Sequence, residues 1–459
     1  MLPCMSLLEL APKHTELIAQ SVPKGAANIQ DIYPLAPVQE EVLFHHLLTK
    51  EIADTYVASI VLSVSSWDRL EDLIAALQAV IDRHDALRTA VLWERLPEPV
   101  QVVYRHAILP VQEIPLARDR NPMEQIREWL RPERQRIDLC NAPQMRLKVA
   151  PHPYSGQWYA WIQFHQMTID YASTELVASE VVAHLEDRIQ QLPEPIPYRT
   201  YLVEALAHAA WPDAENFFRR KFGEVGEPTA PFGLLDVHGD GTHMAEARRK
   251  LGPALSQHVH AMASHLSVNA ATLFHAVWGL VVARTCGRDN VVFGSVRSGR
   301  LQSGTIALRM LGKFNNALPL RLKLRDATTR AFVEQTRQEI VELSNYESVS
   351  LAVAQRCSGI GGLVPLFSSL LNYRHSVPNL DNHWSSAIGI RVLASQERTN
   401  YPIALIVDDL EEGFLLTAQT DQRIDPNLIT DYVHTAIQSL LNALEKAPLT
   451  PVLALSIFR

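Results

Sequence analysis

Apolar and polar positions follow two patterns in this chain, and each pattern predicts one kind of element. Aromatic and β-branched residues fill 158–164, a composition that is typical of a buried strand. After Ser173, apolar residues recur in steps of four, which predicts a helix with one face on a core: Val177, Val181, Leu185 and Ile189. Residues 165–171 are therefore predicted to form a strand-to-helix loop. Polar side chains at such a junction are held by rigid elements on both sides.

The same patterns predict an alternation of helices and strands along the whole chain. Helices are expected near 14–21, 36–49, 68–83, 122–135, 214–222 and 269–284, and strands near 55–64, 87–93 and 291–294. Alternate prolines in 192–197 can continue neither a helix nor a central strand, so this segment is the predicted linker. At 459 residues the chain is too long for one ordinary core. We therefore predict an α/β protein with two domains, 1–192 and 193–459.

Composition narrows the function classes. With 47% hydrophobic and 20% charged residues, the chain has the composition of an ordinary globular protein. A net charge of -8 without a basic stripe argues against nucleic acid as a partner. No run of eighteen apolar residues and no secretory leader pattern is present, so we expect no membrane insertion and a cytoplasmic location. Without a Walker loop, a GxGxxG motif or a metal-ligand cluster, neither a nucleotide nor a metal is predicted.

The four cysteines are Cys4, Cys140, Cys286 and Cys357, and they are widely spaced without a CxxC pair. This spacing is typical of reduced, mostly buried thiols. None lies in a nucleophile motif, so a catalytic cysteine is not predicted.

The predicted loop carries the polar side chains His165, Gln166 and Asp170. Taken alone, His165 is more often a hydrogen-bonded core histidine than a catalytic one. Asp170 lies where a carboxylate would accept hydrogen bonds from the free amides at a helix start. Local chemistry by itself therefore favours a structural role for both residues.

Several further motifs change that balance, because they resemble the motifs of one family and follow one another in the family's order over about 370 residues. Residues 165–171 resemble the HHxxxDG signature of nonribosomal peptide synthetase condensation domains, with Gln166 at the second histidine and Tyr171 at the glycine. The other segments that resemble the family's motifs are 33–40, 83–89, 136–146, 292–300, 311–321, 370–374 and 397–402. No single segment is specific, but together they are hard to obtain by chance.

The resemblance implies an architecture and a reaction. Condensation domains consist of two chloramphenicol-acetyltransferase-like lobes in a V-shaped pseudo-dimer, with the active loop in a tunnel between them. Upstream and downstream peptidyl carrier proteins deliver phosphopantetheine arms to the two ends of the tunnel. The domain itself binds no cofactor. It joins a thioester donor to an amine acceptor, so the implied activity is that of an amide-forming acyltransferase.

The resemblance also assigns roles to individual residues. His165 is expected to shape the loop, and Asp170 to pair with an arginine, either Arg88 or Arg83. The residue at position 166 handles the proton of the attacking amine in relatives, but a carboxamide has no useful basicity near neutral pH. Gln166 can therefore position a group without acting as a general base.

The expected lining of the substrate tunnel is a separate set of residues. An aromatic ring at position 171 would narrow the tunnel, since the family's glycine leaves room there. The residues expected to line it are Tyr171, Arg88, Ser298, Asn316 and Asn372.

Three functions are compatible with a condensation domain that has Gln166 at the second histidine and Tyr171 at the glycine. The first is an amide-forming domain of the kind found in bacterial lipopeptide synthetases, with an aminoacyl carrier or a small free amine as acceptor. The second is an inactive domain that recruits carrier proteins or tailoring enzymes. The third is a dual epimerisation and condensation domain, which 42–46 resembles, although epimerisation needs a base that abstracts a proton from carbon.

Two surface features bear on the partners. Carrier proteins are usually acidic, so a docking patch would be locally basic, and the candidates are 219–221 and 248–250, where a solvated helix face is the plainer interpretation. Residues 446–455 resemble the linker that leads into an adenylation domain. We therefore expect the chain to be one piece of a larger synthetase.

Overall fold

The computed structural model describes residues 7–48, 54–131, 135–209, 212–237, 244–300, 309–361, 364–375, 389–410 and 413–458. Its Cα positions group into two compact units. The first unit comprises 1–207, 300–314 and 379–398, and the second comprises 208–299, 315–378 and 399–459. Residues 193–207, which include most of the proline-rich segment, thus belong to the first unit. The lobe boundary at residues 192 and 193 stays a prediction.

The described helices are distributed along the whole chain. In chain order they are α1 (Pro12–Ser21), α2 (Pro37–Leu48), α3 (Trp67–Arg83), α4 (Pro122–Trp129), α5 (Tyr171–Leu185), α6 (Tyr198–Ala209), α7 (Pro212–Phe222), α8 (Pro253–His265), α9 (Ala270–Cys286), α10 (Thr329–Ser344), α11 (Leu351–Arg356) and α12 (Pro426–Lys446).

The described strands are interleaved with these helices. In chain order they are β1 (Ile29–Pro34), β2 (Val57–Val64), β3 (Thr89–Leu92), β4 (Val100–Tyr104), β5 (Val111–Glu113), β6 (Met145–Pro151), β7 (Trp158–His165), β8 (Met244–Lys250), β9 (Asn290–Arg297), β10 (Asn316–Lys323), β11 (Ser369–Arg374), β12 (Ile390–Gln396), β13 (Ile403–Leu410) and β14 (Gly413–Asp421).

The first unit is built on two sheets. The larger has the strand order β12-β2-β7-β6-β5, and the smaller has the order β1-β4-β3. In the larger sheet, β2 runs antiparallel to both β12 and β7, and β5 runs parallel to β6. The late strand β12 therefore completes a sheet whose other strands all end by His165.

Helices α3 and α5 pack on the larger sheet because each has an apolar face. In α3, Ser66 caps the first turn by accepting a hydrogen bond from the Arg69 amide, and Leu70, Leu73 and Leu77 are buried. They belong to one core cluster with Val177 and Val181 of α5. This core fixes the end of β7 and the start of α5, which flank the loop of interest.

The second unit contains one mixed sheet with the order β10-β9-β11-β13-β14-β8. Strand β11 runs parallel to its neighbours β9 and β13, and the other pairs are antiparallel. Helix α9 is buried along most of its length. Asn269 caps its start, and Gly287 ends it with a left-handed φ of 67°, a conformation that suits glycine.

Some predicted element boundaries were wrong. The helix expected near 122–135 ends at Trp129. The helix after Ser173 ends at Leu185, because Asp187 takes a left-handed φ of 55°, and Ile189 lies 44% exposed in a following 3-10 turn. Residues 87 and 88, expected in a strand, belong to another 3-10 turn, 86–88, before β3.

The two basic clusters are largely paired within the second unit. Lys221, at the end of α7, binds Glu339 and Glu342. Arg248 and Arg249 lie on strand β8 rather than on a helix, and they pair with Glu246 and Asp431. The second cluster is therefore not on a helix, whereas the first lies on α7, where Arg219 and Arg220 are exposed.

Among the residues that the structure describes, no single helix has both the length and the apolar character needed to cross a membrane. The bent pair of α8 and α9 meets that test by length and composition alone.

Candidate active site

The predicted strand-to-helix loop is present in the first unit. His165 is the last residue of β7, and α5 begins at Tyr171. Asp170 caps this helix by accepting a hydrogen bond from the Ser173 amide at 2.8 Å, as its position predicted. The loop is thus held by a central strand on one side and by a packed helix on the other.

The His165 side chain is fully buried, and its hydrogen bonds define its tautomer. The Met167 amide donates to Nδ1 at 3.0 Å, so the ring proton is on Nε2, which lies 3.0 Å from Oδ2 of Asp54. Both ring nitrogens are occupied by the protein itself. His165 therefore shapes the loop, in agreement with the role that the resemblance implied.

Asp54 also holds a second histidine. Its Oδ2 lies 2.8 Å from Nδ1 of His46, while Arg136 contacts Nε2 of His46 at 3.2 Å. Burial raises the pKa of Asp54, but the hydrogen bonds that its carboxylate accepts from His165 and His46 outweigh this effect and hold the pKa well below its usual range. The buried Asp54 carboxylate thus holds the side chains of His46 and His165 together at the start of the loop.

The ligand-type atoms of His46, Asp54 and His165 lie within 4.8 Å of one another, so we tested whether this trio suits a metal ion. Hydrogen bonds already account for the Asp54 oxygen and for both nitrogens of each ring. The Arg136 guanidinium next to His46 would also repel a cation. The arrangement fits a hydrogen-bonded cluster better than a metal centre.

Asp170 pairs with Arg300, so the predicted partners Arg88 and Arg83 were wrong. Asp170 and Arg300 are 3% and 4% exposed, and their Oδ1 to Nη2 distance is 2.8 Å. Arg300 also donates to Oγ of Ser173 and to the Met310 carbonyl, both at 2.8 Å. These contacts tie the loop and the start of α5 to Arg300 and Met310, which are distant in sequence.

Arg83 and Arg88 are used elsewhere in the first unit. Arg83 lies 3.2 Å from Glu180. The guanidinium of Arg88 is buried and donates to the carbonyls of Ile81 and Tyr104. These are the contacts of a structural residue, so they do not support the predicted place of Arg88 in a tunnel wall.

Gln166 is 8% exposed and is held at both its backbone and its side chain. Its backbone N–H donates to the Tyr56 carbonyl oxygen, with an N to O distance of 2.8 Å. Its Nε2 donates to Oε1 of Glu397 at 2.9 Å. The residue at the second-histidine position therefore contacts a carboxylate that follows directly after β12.

A small pocket lies beside this pair in the first unit. Its lining residues are Ala58, Ser59, Ile60, Phe164, Gln166, Tyr171, Thr174, Ser395, Gln396 and Glu397. The free volume is about 10 Å³, which is room for about one water molecule. Tyr171 thus contributes to the wall of a pocket that Gln166 and Glu397 also line.

Charged groups surround the same region. Lys313 is buried, and burial lowers its pKa, although the carboxylates of Asp170, Glu397 and Glu41 act in the opposite direction. Burial also raises the pKa of Glu41 to about 7, with the Lys313 charge opposing the rise. The site therefore combines an ammonium with three carboxylates in partly desolvated surroundings.

The remaining predicted residues belong to the second unit. Ser298 is exposed and follows β9, while Asn316 begins the neighbouring strand β10. Nδ2 of Asn316 donates to the carbonyls of Glu347 and Val349 at 2.9 and 2.7 Å. Asn372 is half-buried on β11, the strand on the other side of β9. The three residues thus lie on or beside three adjacent strands.

Sequence reasoning missed several groups that shape the site. Arg300, Lys313 and Glu397 each lie in a segment that resembles a family motif, so their segments were recognised without their roles. No motif marked Asp54 or its contact with His46. That contact joins the end of α2 to the residues before β2, and neither periodicity nor spacing reports it.

Comparison with known sequences identifies the family. A family model described as "Condensation domain" matches residues 29–451. Malpinin synthetase and malpibaldin synthetase of Mortierella alpina are 38% and 36% identical to this chain over 99% of its length. A linear gramicidin synthase of Brevibacillus parabrevis is 28% identical over 94% of the chain. The chain spans only 6%, 8% and 8% of these three relatives.

Solved structures show the same fold. The first condensation domain of the calcium-dependent antibiotic synthetase matches 94% of this chain and 99% of its own, with a TM-score of 0.74 and 16% identity. A condensation domain from the Monacolin K polyketide synthase matches 93% of this chain and all of its own, with a TM-score of 0.71 and 17% identity. The predicted α/β, chloramphenicol-acetyltransferase-like fold class is confirmed. This chain therefore belongs to the condensation-domain family of nonribosomal peptide synthetases, as its motifs predicted.

Proposed function

We propose that this domain forms an amide bond between a carrier-bound acyl or peptidyl thioester and an amine acceptor. The acceptor is an aminoacyl group on a second carrier, or a small free amine. The observation that carries the proposal is the hydrogen bond from Gln166 to Glu397. It puts a carboxylate beside the position of the missing histidine.

The typical sizes of two rate effects, general-base catalysis and positioning of the reactants, support activity without the histidine. A thioester is already activated, so aminolysis mainly needs a neutral amine close to the carbonyl and a route for one proton. Loss of a general base typically costs about 10²- to 10⁴-fold, whereas positioning two reactants supplies effective molarities of about 10⁵ M or more. A domain that relies on positioning therefore retains useful aminolysis.

The small pocket favours a compact acceptor group at this point. Tyr171 occupies part of its wall, where a glycine would leave space, and the free volume suits one small polar group. The amino group of a primary amine has about this size. We therefore include a small free amine among the acceptors, beside an aminoacyl carrier.

A second candidate function is carrier recruitment without catalysis. The observation that favours it is that both His165 nitrogens are occupied and that Gln166 has no basic atom. The third function, epimerisation with condensation, is the weakest of the three, since proton abstraction from carbon requires a stronger base than an amide.

The partners follow from the proposed reaction. Upstream and downstream carrier proteins would deliver phosphopantetheine arms, and an adenylation domain would follow this chain in a larger cytoplasmic synthetase. Ser298, Asn316, Asn372 and Tyr171 are proposed to line the path of the arms. Lipopeptide assembly, as in bacterial lipopeptide synthetases, is our proposal for the product class.

The test is amide formation by the chain itself. A donor dipeptide would be loaded on a carrier protein, and acceptors would be carriers bearing each of the proteinogenic amino acids, with propylamine as the free amine. Wild type, Gln166→Ala and Gln166→His would be compared, with Glu71→Gln on the exposed face of α3 as the matched control.

The expected result is product with wild type at a rate well above that of the carriers alone, and equal product with Glu71→Gln. Gln166→Ala is expected to lower the rate, because it removes the hydrogen bond to Glu397. No product from wild type with any acceptor, together with product from Gln166→His, would overturn the proposal and support recruitment instead.

A further inference from the structure

We propose that Glu397 is the catalytic carboxylate of this domain, which binds the acceptor amine and takes its proton, and that Gln166 is a positioning residue for Glu397. This inference rests on the proposed amide-forming function and names the group that replaces the missing histidine. It is carried by the geometry of the larger sheet in the first unit.

The sheet register brings these two residues together through the backbone. Gln396, at the end of β12, is paired with Ser59, and His165, at the end of β7, is paired with Val57. Glu397 and Gln166 each follow directly, so they flank the start of β2 from opposite sides. The hydrogen bond of 2.9 Å between their side chains closes this end of the sheet.

An amide is well suited to position a carboxylate. It donates a hydrogen bond to the ionised form, yet it neither takes the proton nor repels the cation that the carboxylate is to bind. A charge-assisted hydrogen bond of this kind is stronger than a neutral one. Gln166 therefore fixes the orientation of Glu397 and leaves the basic group in the pocket.

Other charged groups face Glu397 from the surrounding elements. Lys313 interacts with it and also with Asp170 at the start of α5 and Glu41 on α2. Tyr171 lines the same pocket, and Arg398 follows Glu397 in the chain. The strand β2 contributes only residues 58–60, which carry no charge. Lys313 is thus one cation that faces this carboxylate.

Glu397 first binds the acceptor ammonium, which loses one proton to solvent. The neutral amine nitrogen then attacks the thioester carbonyl, so a carbon–nitrogen bond forms, and Glu397 takes a second proton from this nitrogen. The tetrahedral intermediate then collapses, and the carbon–sulfur bond breaks. The proton passes to the departing pantetheine thiolate, which leaves as the thiol. No oxidant, reductant or further reactant is needed.

The test compares Glu397→Gln with Glu397→Asp in the same carrier-loaded assay, with Glu71→Gln as control. Glu397→Gln keeps the size of the side chain and its ability to bond to Gln166, but it removes the base. We expect its rate at pH 7 to fall about 10²- to 10⁴-fold. Glu397→Asp keeps a carboxylate and is expected to recover part of that loss.

The pH profile separates a catalytic role from a structural one. The advantage of wild type over Glu397→Gln should shrink as the pH falls, because a general base works only in its deprotonated form. Thermal unfolding of each variant should stay near that of wild type. Gln166→Ala should lower the rate less than Glu397→Gln does, and it should preserve the pH dependence.

The outcomes distinguish the two proposals. If wild type forms product and Glu397→Gln keeps a rate within about threefold of it from about pH 5 to about pH 9, the role of Glu397 is refuted and amide formation stands. If wild type forms no product with any acceptor, the proposed function itself fails. If Glu397→Gln does not fold, Glu397→Ala takes its place under the same criterion.

Discussion

Replacing Arg300 by methionine should destabilise the first unit strongly, because Asp170 would remain buried without its ion-pair partner. The two side chains are nearly inaccessible and lie 2.8 Å apart. Removal of one partner of a buried ion pair typically costs about 3–5 kcal/mol. Arg300 also donates to Ser173 and to the Met310 carbonyl, so these acceptors would lose a donor as well.

The measurement is unfolding by heat and by urea. For a domain of this size, about 3–5 kcal/mol corresponds to a midpoint that is lower by roughly 6–20 °C. The matched control is Arg188→Met, since Arg188 pairs with Glu186 at the exposed surface. An exposed pair of this kind contributes about 0–1 kcal/mol.

A double variant sharpens the test. Asp170→Asn with Arg300→Met removes both charges, so its loss of stability should be smaller than the sum of the two single losses by about 1–3 kcal/mol. A loss of less than about 1 kcal/mol for Arg300→Met, equal to that of Arg188→Met, would refute the role of this pair in holding the loop.

Three further outcomes follow from the contacts of the first unit. Because the folded-state pKa of Asp54 is depressed, the stabilising effect of this carboxylate is present above the unfolded-state pKa of about 3.9 and is lost as the pH falls. Urea unfolding should therefore show that Asp54→Asn is less stable than wild type at pH 7. The difference should be smaller below about pH 4. Because the folded-state pKa of Glu41 is raised to about 7, ionisation of Glu41 opposes folding as the pH rises from about 4.3 through 7. Glu41→Gln should therefore gain stability relative to wild type over that pH range. A stability difference that does not change with pH would contradict this. A Cβ on Gly312 would lie 2.2 Å from the Tyr198 ring, so Gly312→Ala should lower the unfolding midpoint, whereas Gly156→Ala, in open space, should not.

Much of the fold was predictable because local patterns carry it. The apolar steps of four in 177–185 and the aromatic run in 158–164 predicted α5 and β7 correctly. The predicted stripe failed at Ile189, where Asp187 in a left-handed conformation ends the helix. Periodicity reports which face is apolar, but it does not report a single residue whose backbone breaks the helix.

The site was predictable only where a motif marked it. His165, Gln166 and Asp170 were found together on the loop, and the helix-capping role of Asp170 was correct. Its partner was not, because Arg300 follows it by 130 residues and reaches it only through tertiary packing within the first unit. Two nearer arginines were equally plausible by charge alone.

The contact between Gln166 and Glu397 could not be predicted for the same reason. It spans 231 residues and depends on β12 joining the sheet of β2 and β7. Strand pairing across such a distance is not encoded in local hydrophobic pattern, since every edge strand offers similar hydrogen-bonding groups. The chemistry of the site therefore became visible only with the register of the sheet.

The most direct measurement is single-turnover transfer between carriers, followed by mass spectrometry of the intact carrier proteins. Wild type should move the donor peptide onto the acceptor amine at least about 100-fold faster than the same carriers do without the domain. Equal rates with and without wild type, over all acceptors and in the presence of correctly folded protein, would contradict amide formation by this domain.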